Sequence, residues 1–117
     1  MKRILICDDD DMWLELNSHF LQKEGYEVIV VNSAVDITIV VADAMPDLVV
    51  MDYLMPKVNG AEATMALKGD AQCRQIPVIL YSSTRDLVEV ANECGADAYL
   101  LKGVDGKLAE LVERMVA

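Results

Sequence analysis

Asp47-Leu48-Val49-Val50-Met51, closed by Asp52, sets four apolar residues in unbroken succession between two aspartates. A strand with one wet face would alternate apolar and polar residues. A short, continuous, valine-rich run instead reads as a strand covered on both faces, which is the condition of a parallel sheet. Working outward from Asp47–Met51, four comparable runs occur at Arg3–Cys7, Tyr26–Val31, Ile76–Tyr81 and Ala98–Leu101, and longer amphipathic segments separate them. The order is (βα) five times over. It predicts a doubly wound α/β domain with a five-stranded parallel sheet and helices on both faces.

The intervening segments carry helix signals. Trp13, Leu16, Phe20 and Leu21 share a face of the first helix, and Gly25 offers a left-handed stop. Ser33 with Asp36 has the spacing of a capping box ahead of the second helix. The body of that helix, Val35–Val41, is rich in β-branched residues and leans towards strand by propensity; helix is preferred because a strand there would break the alternation. Ala61–Lys68 is the third helix. Ser83 with Asp86 caps a fourth that Gly95 ends, and Asp105 can cap a fifth running to the C-terminus. The expectation is one domain over residues 1–117, large enough for a single core.

Composition narrows the function classes. With 54% hydrophobic residues the chain is globular, and no apolar stretch approaches the roughly 20 residues needed to span a bilayer. Met1–Cys7 runs directly into four aspartates, without the long apolar region and cleavage site of a secretory signal. The three cysteines, Cys7, Cys73 and Cys94, lack metal-site spacing and read as reduced thiols, in keeping with a cytoplasmic location. A net charge of −10 without any Lys/Arg cluster excludes nucleic-acid binding by this chain. His19, mid-helix without a ligand set, and Trp13 read as structural or surface residues.

Ligands of open α/β sheets bind outside the carboxyl ends of the strands, so what terminates each run matters. The first ends at Asp8-Asp9, the third at Asp52, the fourth at Ser82 and the fifth at Lys102. In the strand order 2-1-3-4-5 of one common doubly wound sheet, strands 1, 3, 4 and 5 are contiguous, so these groups converge. Crowded carboxylates repel unless a cation neutralises them, and carboxylate oxygens with room for water suit Mg²⁺. Lys102 can hold an anion and Ser82 can donate a hydroxyl hydrogen bond. A carboxylate nucleophile, a metal, a lysine and a hydroxyl together describe phosphoryl transfer to Asp52. Each part also has a plainer use: an acidic run decorates a helix N-terminus, Asp52 can open a turn, and Ser82 can cap a helix.

From end to end the chain resembles the receiver (phosphoacceptor) domain of two-component response regulators. The matching residues are Asp8-Asp9 after Ile4-Leu5-Ile6-Cys7, Asp52 in Pro46–Asp52, Met55-Pro56 and Gly60 beyond it, Pro77–Ser83, Gly95–Tyr99 and Lys102. The resemblance implies a flavodoxin-like (βα)5 fold and a set of roles. Asp52 would accept the phosphoryl group. Asp9, Asp52 and the Leu54 backbone carbonyl would ligate Mg²⁺, with Asp8 acting through water. Lys102 would pair with the acceptor and then with the phosphoryl group, Ser82 would bond a phosphoryl oxygen, and Tyr99 would turn with that movement. Ser83 would gate access, while Leu54 and Thr84 would tune hydrolysis. The phosphodonor would be a histidine kinase, a phosphotransfer protein or acetyl phosphate. The output would be a changed face of fourth helix, fifth strand and fifth helix, read by a downstream protein or effector domain. Such a domain catalyses its own phosphorylation and dephosphorylation and turns over no external substrate.

One departure stands out. The family usually places proline, commonly after a cis bond, where this chain has Gly103; a cis bond without proline costs about 2.5–4 kcal/mol. Glycine would also leave that loop freer. Other readings stay in view. A pseudo-receiver, an interaction module without phosphorylation, would keep the fold but show no response to Mg²⁺. A haloacid-dehalogenase-type phosphatase wants Asp-x-Asp-x-Thr/Val, and Asp8–Met12 lacks the last residue. A flavin protein would need a Ser/Thr/Gly phosphate loop after the first strand. A homodimer through the fourth-helix/fifth-strand face is compatible with the resemblance, though no residue argues for it.

Overall fold

Leu48–Asp52 (β3) is buried at every residue, and it occupies the middle of the sheet. The computed structural model describes residues 1–83, 86–103 and 107–117. The elements alternate as β1 (Arg3–Cys7), α1 (Asp11–Lys23), β2 (Glu27–Val31), α2 (Ile37–Ala44), β3, α3 (Gly60–Gly69), β4 (Val78–Ser82), α4 (Leu87–Cys94), β5 (Ala98–Leu101) and α5 (Lys107–Val116). All neighbouring strands are parallel, in the order β2-β1-β3-β4-β5. This is the doubly wound parallel sheet that the apolar runs predict, in the flavodoxin-like order that the resemblance implies.

Strand pleating divides the core into two layers. Leu5, Cys7, Val49, Met51, Val78 and Leu80 pack with Val41 of α2, Ala63 and Leu67 of α3, and Leu87 and Ala91 of α4. The alternate residues Ile4, Ile6, Leu48, Val50, Ile79 and Tyr81 pack with Leu14 and Leu21 of α1 and Leu108 and Val112 of α5. Each strand therefore needs apolar residues at consecutive positions, which explains the absence of alternation in sequence.

Several expectations are corrected in detail. β3 and β4 begin and end later than their apolar runs suggest, so Asp52 and Ser82 are the last strand residues rather than the first beyond them. The Ser33/Asp36 capping box does not form. Asp36 takes a left-handed conformation (φ 60°) without a side-chain cap, and the Ser33 hydroxyl instead accepts from the Val35 amide at 3.2 Å. The box that does form joins Asn59 and Glu62 at the start of α3, each side chain accepting from the other's backbone amide. The face of α1 turned inward is Leu14, Asn17 and Leu21, leaving Leu16 46% and Phe20 52% exposed. α4 starts at Leu87, with no side-chain cap from Asp86, and it ends at Gly95 in the left-handed region as expected. Asp105 lies outside the described residues.

Candidate functional site

The acidic run after β1 divides its labour over one turn of chain. Asp10 is the N-cap of α1, its carboxylate accepting from the Met12 amide at 3.0 Å, and Asp11 stands in the first turn where the helix dipole favours it. The plain reading of an acidic helix start thus holds for these two. Asp8 is different: it is 2% exposed, and its Oδ1 accepts from the Asp10 amide at 2.9 Å. Asp9 remains exposed.

β1 and β3 are adjacent, with Cys7 opposite Met51. Asp8 and Asp52 therefore leave neighbouring strand ends on the same edge. One oxygen from each of Asp8, Asp9 and Asp52 lies within 4.8 Å of the others. From β5, Lys102 returns to the same point. Its amide donates to the Ser82 carbonyl at 2.9 Å, and its ammonium reaches Asp8 Oδ2 at 2.8 Å and Asp52 Oδ1 at 3.3 Å. Ser82, buried at the end of β4, completes a pocket of about 360 Å³ that the exposed Leu54 and Ser83 also line.

Electrostatics follow from crowding. Burial, then the charge of Asp8, push the Asp52 carboxyl up to about 6 from an ordinary 3.8, against the pull of Lys102. Burial alone would lower the Lys102 pKa. The hydrogen bond to Asp8 and the charges of both carboxylates outweigh it and raise the value above the ordinary one. Burial, followed by the same aspartates, drives the Cys7 thiol to about 12. Three carboxylates facing one ammonium leave an excess of negative charge, and an oxygen-only donor set of this kind fits a hard divalent cation such as Mg²⁺.

The backbone beneath the pocket is built around Gly60. A Cβ there would meet the Asp52 carbonyl oxygen at 2.0 Å, and the Gly60 amide donates to the Tyr53 carbonyl at 2.7 Å. Only glycine lets α3 begin this close to the acceptor strand. Gly103 sits at φ +91°, no cis peptide bond occurs among the described residues, and a proline ring could not take that φ.

Of the residues singled out in sequence, Asp8, Asp9, Asp52, Leu54, Ser82, Ser83 and Lys102 share this pocket. Tyr99 does not: it is 45% exposed and lines a separate hollow beside α5. Thr84 lies outside the described residues. Sequence reasoning missed Trp13 and Tyr81 as neighbours of Lys102, whose ammonium stands 5.3 Å and 5.7 Å from their ring centres. The available signal was positional, since Trp13 lies in the first turns of α1 beside the acidic pair and Tyr81 directly precedes Ser82.

Fold and site together define a doubly wound α/β domain with an acidic pocket at the carboxyl ends of its strands. Residues 4–115 match the family described as the response regulator receiver domain, and the chain belongs to that family. It is 32% identical to the DNA-binding response regulator MtrA of Mycobacterium leprae over 99% of this chain and 50% of the relative. The chain thus spans about half the length of the mycobacterial relatives it matches. Identity to the polar-differentiation response regulator DivK of Brucella ovis is 30%, over 88% of this chain and 85% of the relative. Among solved structures, the signal receiver domain of a histidine kinase from Syntrophus aciditrophicus superposes with a TM-score of 0.91 at 34% identity, covering 99% and 90% of the two chains. The receiver domain of a sensor histidine kinase from Pseudomonas aeruginosa, solved with magnesium in its active-site cleft, shares the fold (TM-score 0.89, 22% identity, 98% and 97% covered). Receiver domains of this family are signalling modules of two-component response regulators.

Proposed function

We propose that residues 1–117 act as one phosphoacceptor switch in which Asp52 takes a phosphoryl group from a phosphohistidine of a kinase or phosphotransfer protein, or from acetyl phosphate. The observation that carries this reading is the Lys102 ammonium clasped between Asp8 and Asp52, with a third carboxylate, Asp9, beside them. An Asp52 carboxylate with a pKa of about 6 is mostly ionised at neutral pH and able to attack. Its oxygen bonds to phosphorus as the bond from phosphorus to the donor nitrogen or oxygen breaks, and the leaving group carries away that electron pair. Lys102 stays paired with the acceptor and meets the charge of the incoming equatorial oxygens. Ser82, a buried hydroxyl at the end of β4, donates to one of them. Water later cleaves the acyl phosphate and restores the carboxylate.

Asp9, Asp52 and the Leu54 carbonyl would hold Mg²⁺, with Asp8 acting through water. Bound there, the ion supplies charge neutralisation for the phosphoryl oxygens. Leu54, Ser83 and Thr84 control access to the acceptor and its hydrolysis. Tyr99, outward in this structure, turns inward as Ser82 moves to the phosphoryl group. The face of α4, β5 and α5 then changes its affinity for a downstream protein or effector domain, and this face is also where a homodimer would form. This is a shift between two states, driven only by contacts that differ between them. No helix of the described residues is long and apolar enough to cross a membrane, and the acidic surface gives no nucleic acid a footing; we place the domain in the cytoplasm with its kinase.

Intact-mass measurement after incubation with acetyl phosphate and Mg²⁺ tests the reading. The wild type should gain one phosphoryl group, labile in hydroxylamine, and Asp52→Asn should gain none while keeping its circular dichroism. Phosphorylation of Asp52→Asn would misplace the acceptor. A wild type that stays unmodified and indifferent to Mg²⁺ would make the chain an interaction module instead.

A further inference from the structure

Lys102 is held by more than its two carboxylates. Its ammonium lies 5.3 Å from the ring centre of Trp13 and 5.7 Å from that of Tyr81, within the about 6 Å over which a cation is drawn to an aromatic face. The two rings meet edge to face, 6.1 Å apart at 84°, and so form two walls of a corner. Tyr81 is buried in the layer under α1 and α5, and Trp13 packs against that same layer. The corner is therefore anchored in the core through Tyr81, with the half-buried Trp13 packed against it.

Charge by itself would not fix the lysine. Asp8, Asp9 and Asp52 all attract it, four rotatable bonds let it follow any of them, and the adjoining Gly103 at φ +91° places no side chain against it. An ammonium has three donors. Asp8 accepts one of them at 2.8 Å and Asp52 pairs with the ammonium at 3.3 Å, while the lysine side chain is only 10% exposed and its remaining surroundings include the two rings.

We propose that Trp13 and Tyr81 are positioning residues, an aromatic seat that keeps the Lys102 ammonium on the Asp8–Asp52 side of the pocket and off the exposed Asp9. The seat acts through Lys102 and touches no reacting atom. Its contribution to phosphorylation rests on Asp52 being the acceptor; its contribution to lysine placement does not.

The test separates the two. In NMR spectra, ring currents should move the Lys102 ε-methylene protons upfield in the wild type, whether or not the protein can be phosphorylated. Trp13→Leu, which keeps apolar bulk without a π face, should lose most of that shift, and Trp13→Phe should restore much of it. In parallel, phosphorylation by acetyl phosphate should slow about three- to tenfold in Trp13→Leu and recover in Trp13→Phe, the range expected for one such contact. An unshifted Lys102 in the wild type, or a folded Trp13→Leu with native shift or native rate, overturns the proposal. Should Trp13→Leu fail to fold, Lys102→Met decides. Trp13 is the sole tryptophan, its emission should change when the ammonium is removed, and unchanged emission overturns the seat. If the wild type is never phosphorylated, the phosphoacceptor reading fails while the NMR and emission results still judge the seat.

Discussion

Asp52 shares a buried position with Asp8 and one ammonium, and this has a consequence for stability in the absence of metal. Its pKa is about 6 in the folded protein against an ordinary 3.8, so the folded state binds that proton more tightly than the unfolded chain. The resulting stabilisation is complete below about pH 4 and is lost as pH rises through 6; above that, ionised Asp52 costs on the order of 1–3 kcal/mol. In chelator, Asp52→Asn should therefore unfold at higher urea than the wild type at pH 7, and the gap should close towards pH 4. A gap that widens on acidification would mean that Lys102 dominates the site. A second residue-scale outcome concerns Gly60. Its missing Cβ keeps the Asp52 carbonyl clear, so Gly60→Ala must push back the β3–α3 backbone. It should cost at least about 2–3 kcal/mol in urea denaturation, with slower phosphorylation as well.

At the scale of elements, the helices differ in how their starts are secured. α3 has reciprocal bonds between Asn59 and Glu62, and α1 has Asp10, while α2 and α4 begin without side-chain caps. Asn59→Ala should therefore lower stability by about 1 kcal/mol, and Ser33→Ala, whose hydroxyl touches only a local amide, should cost well under that. Urea melts of the two variants decide between the capping box that forms and the one that only has its spacing. Ser-x-x-Asp at 33–36 has the right spacing, but α2 starts only at Ile37, and Asp36 at φ 60° is not the helical third residue that a box capped by Ser33 requires.

For the whole molecule, a net charge of −10 and three carboxylates converging at one edge predict that the free protein takes up a divalent cation there. Mg²⁺ at ten times its dissociation constant should stabilise the folded state by about 1.4 kcal/mol, a rise in Tm of roughly 3–8 °C. Calorimetry should show that rise in the wild type, its reversal by EDTA, and its absence in Asp9→Asn and Asp52→Asn. An equal rise in those variants would place the ion elsewhere on the acidic surface.

Much of the architecture was legible in the chain, because burial of a strand on both faces is written locally as consecutive apolar residues. The five runs and their parallel pairing follow from that, and the edge on which Asp8, Asp52, Ser82 and Lys102 gather follows once the order 2-1-3-4-5 is added. Strand ends moved by a residue or two, since pairing with a neighbour and not hydrophobicity decides where a ladder stops. Three things were not legible. The rotation of α1 about its axis is set by the sum of its contacts with the sheet, and it turned Leu14, Asn17 and Leu21 inward while leaving Leu16 and Phe20 out. The division of the acidic run into a buried pocket residue, an exposed one and two helix-start residues depends on where α1 begins. And the partners of Lys102, 94 residues from Asp8 along the chain and against two rings from separate elements, exist only once the strands are paired and α1 is packed on its face of the sheet. A flexible side chain has no preferred place until packing builds one.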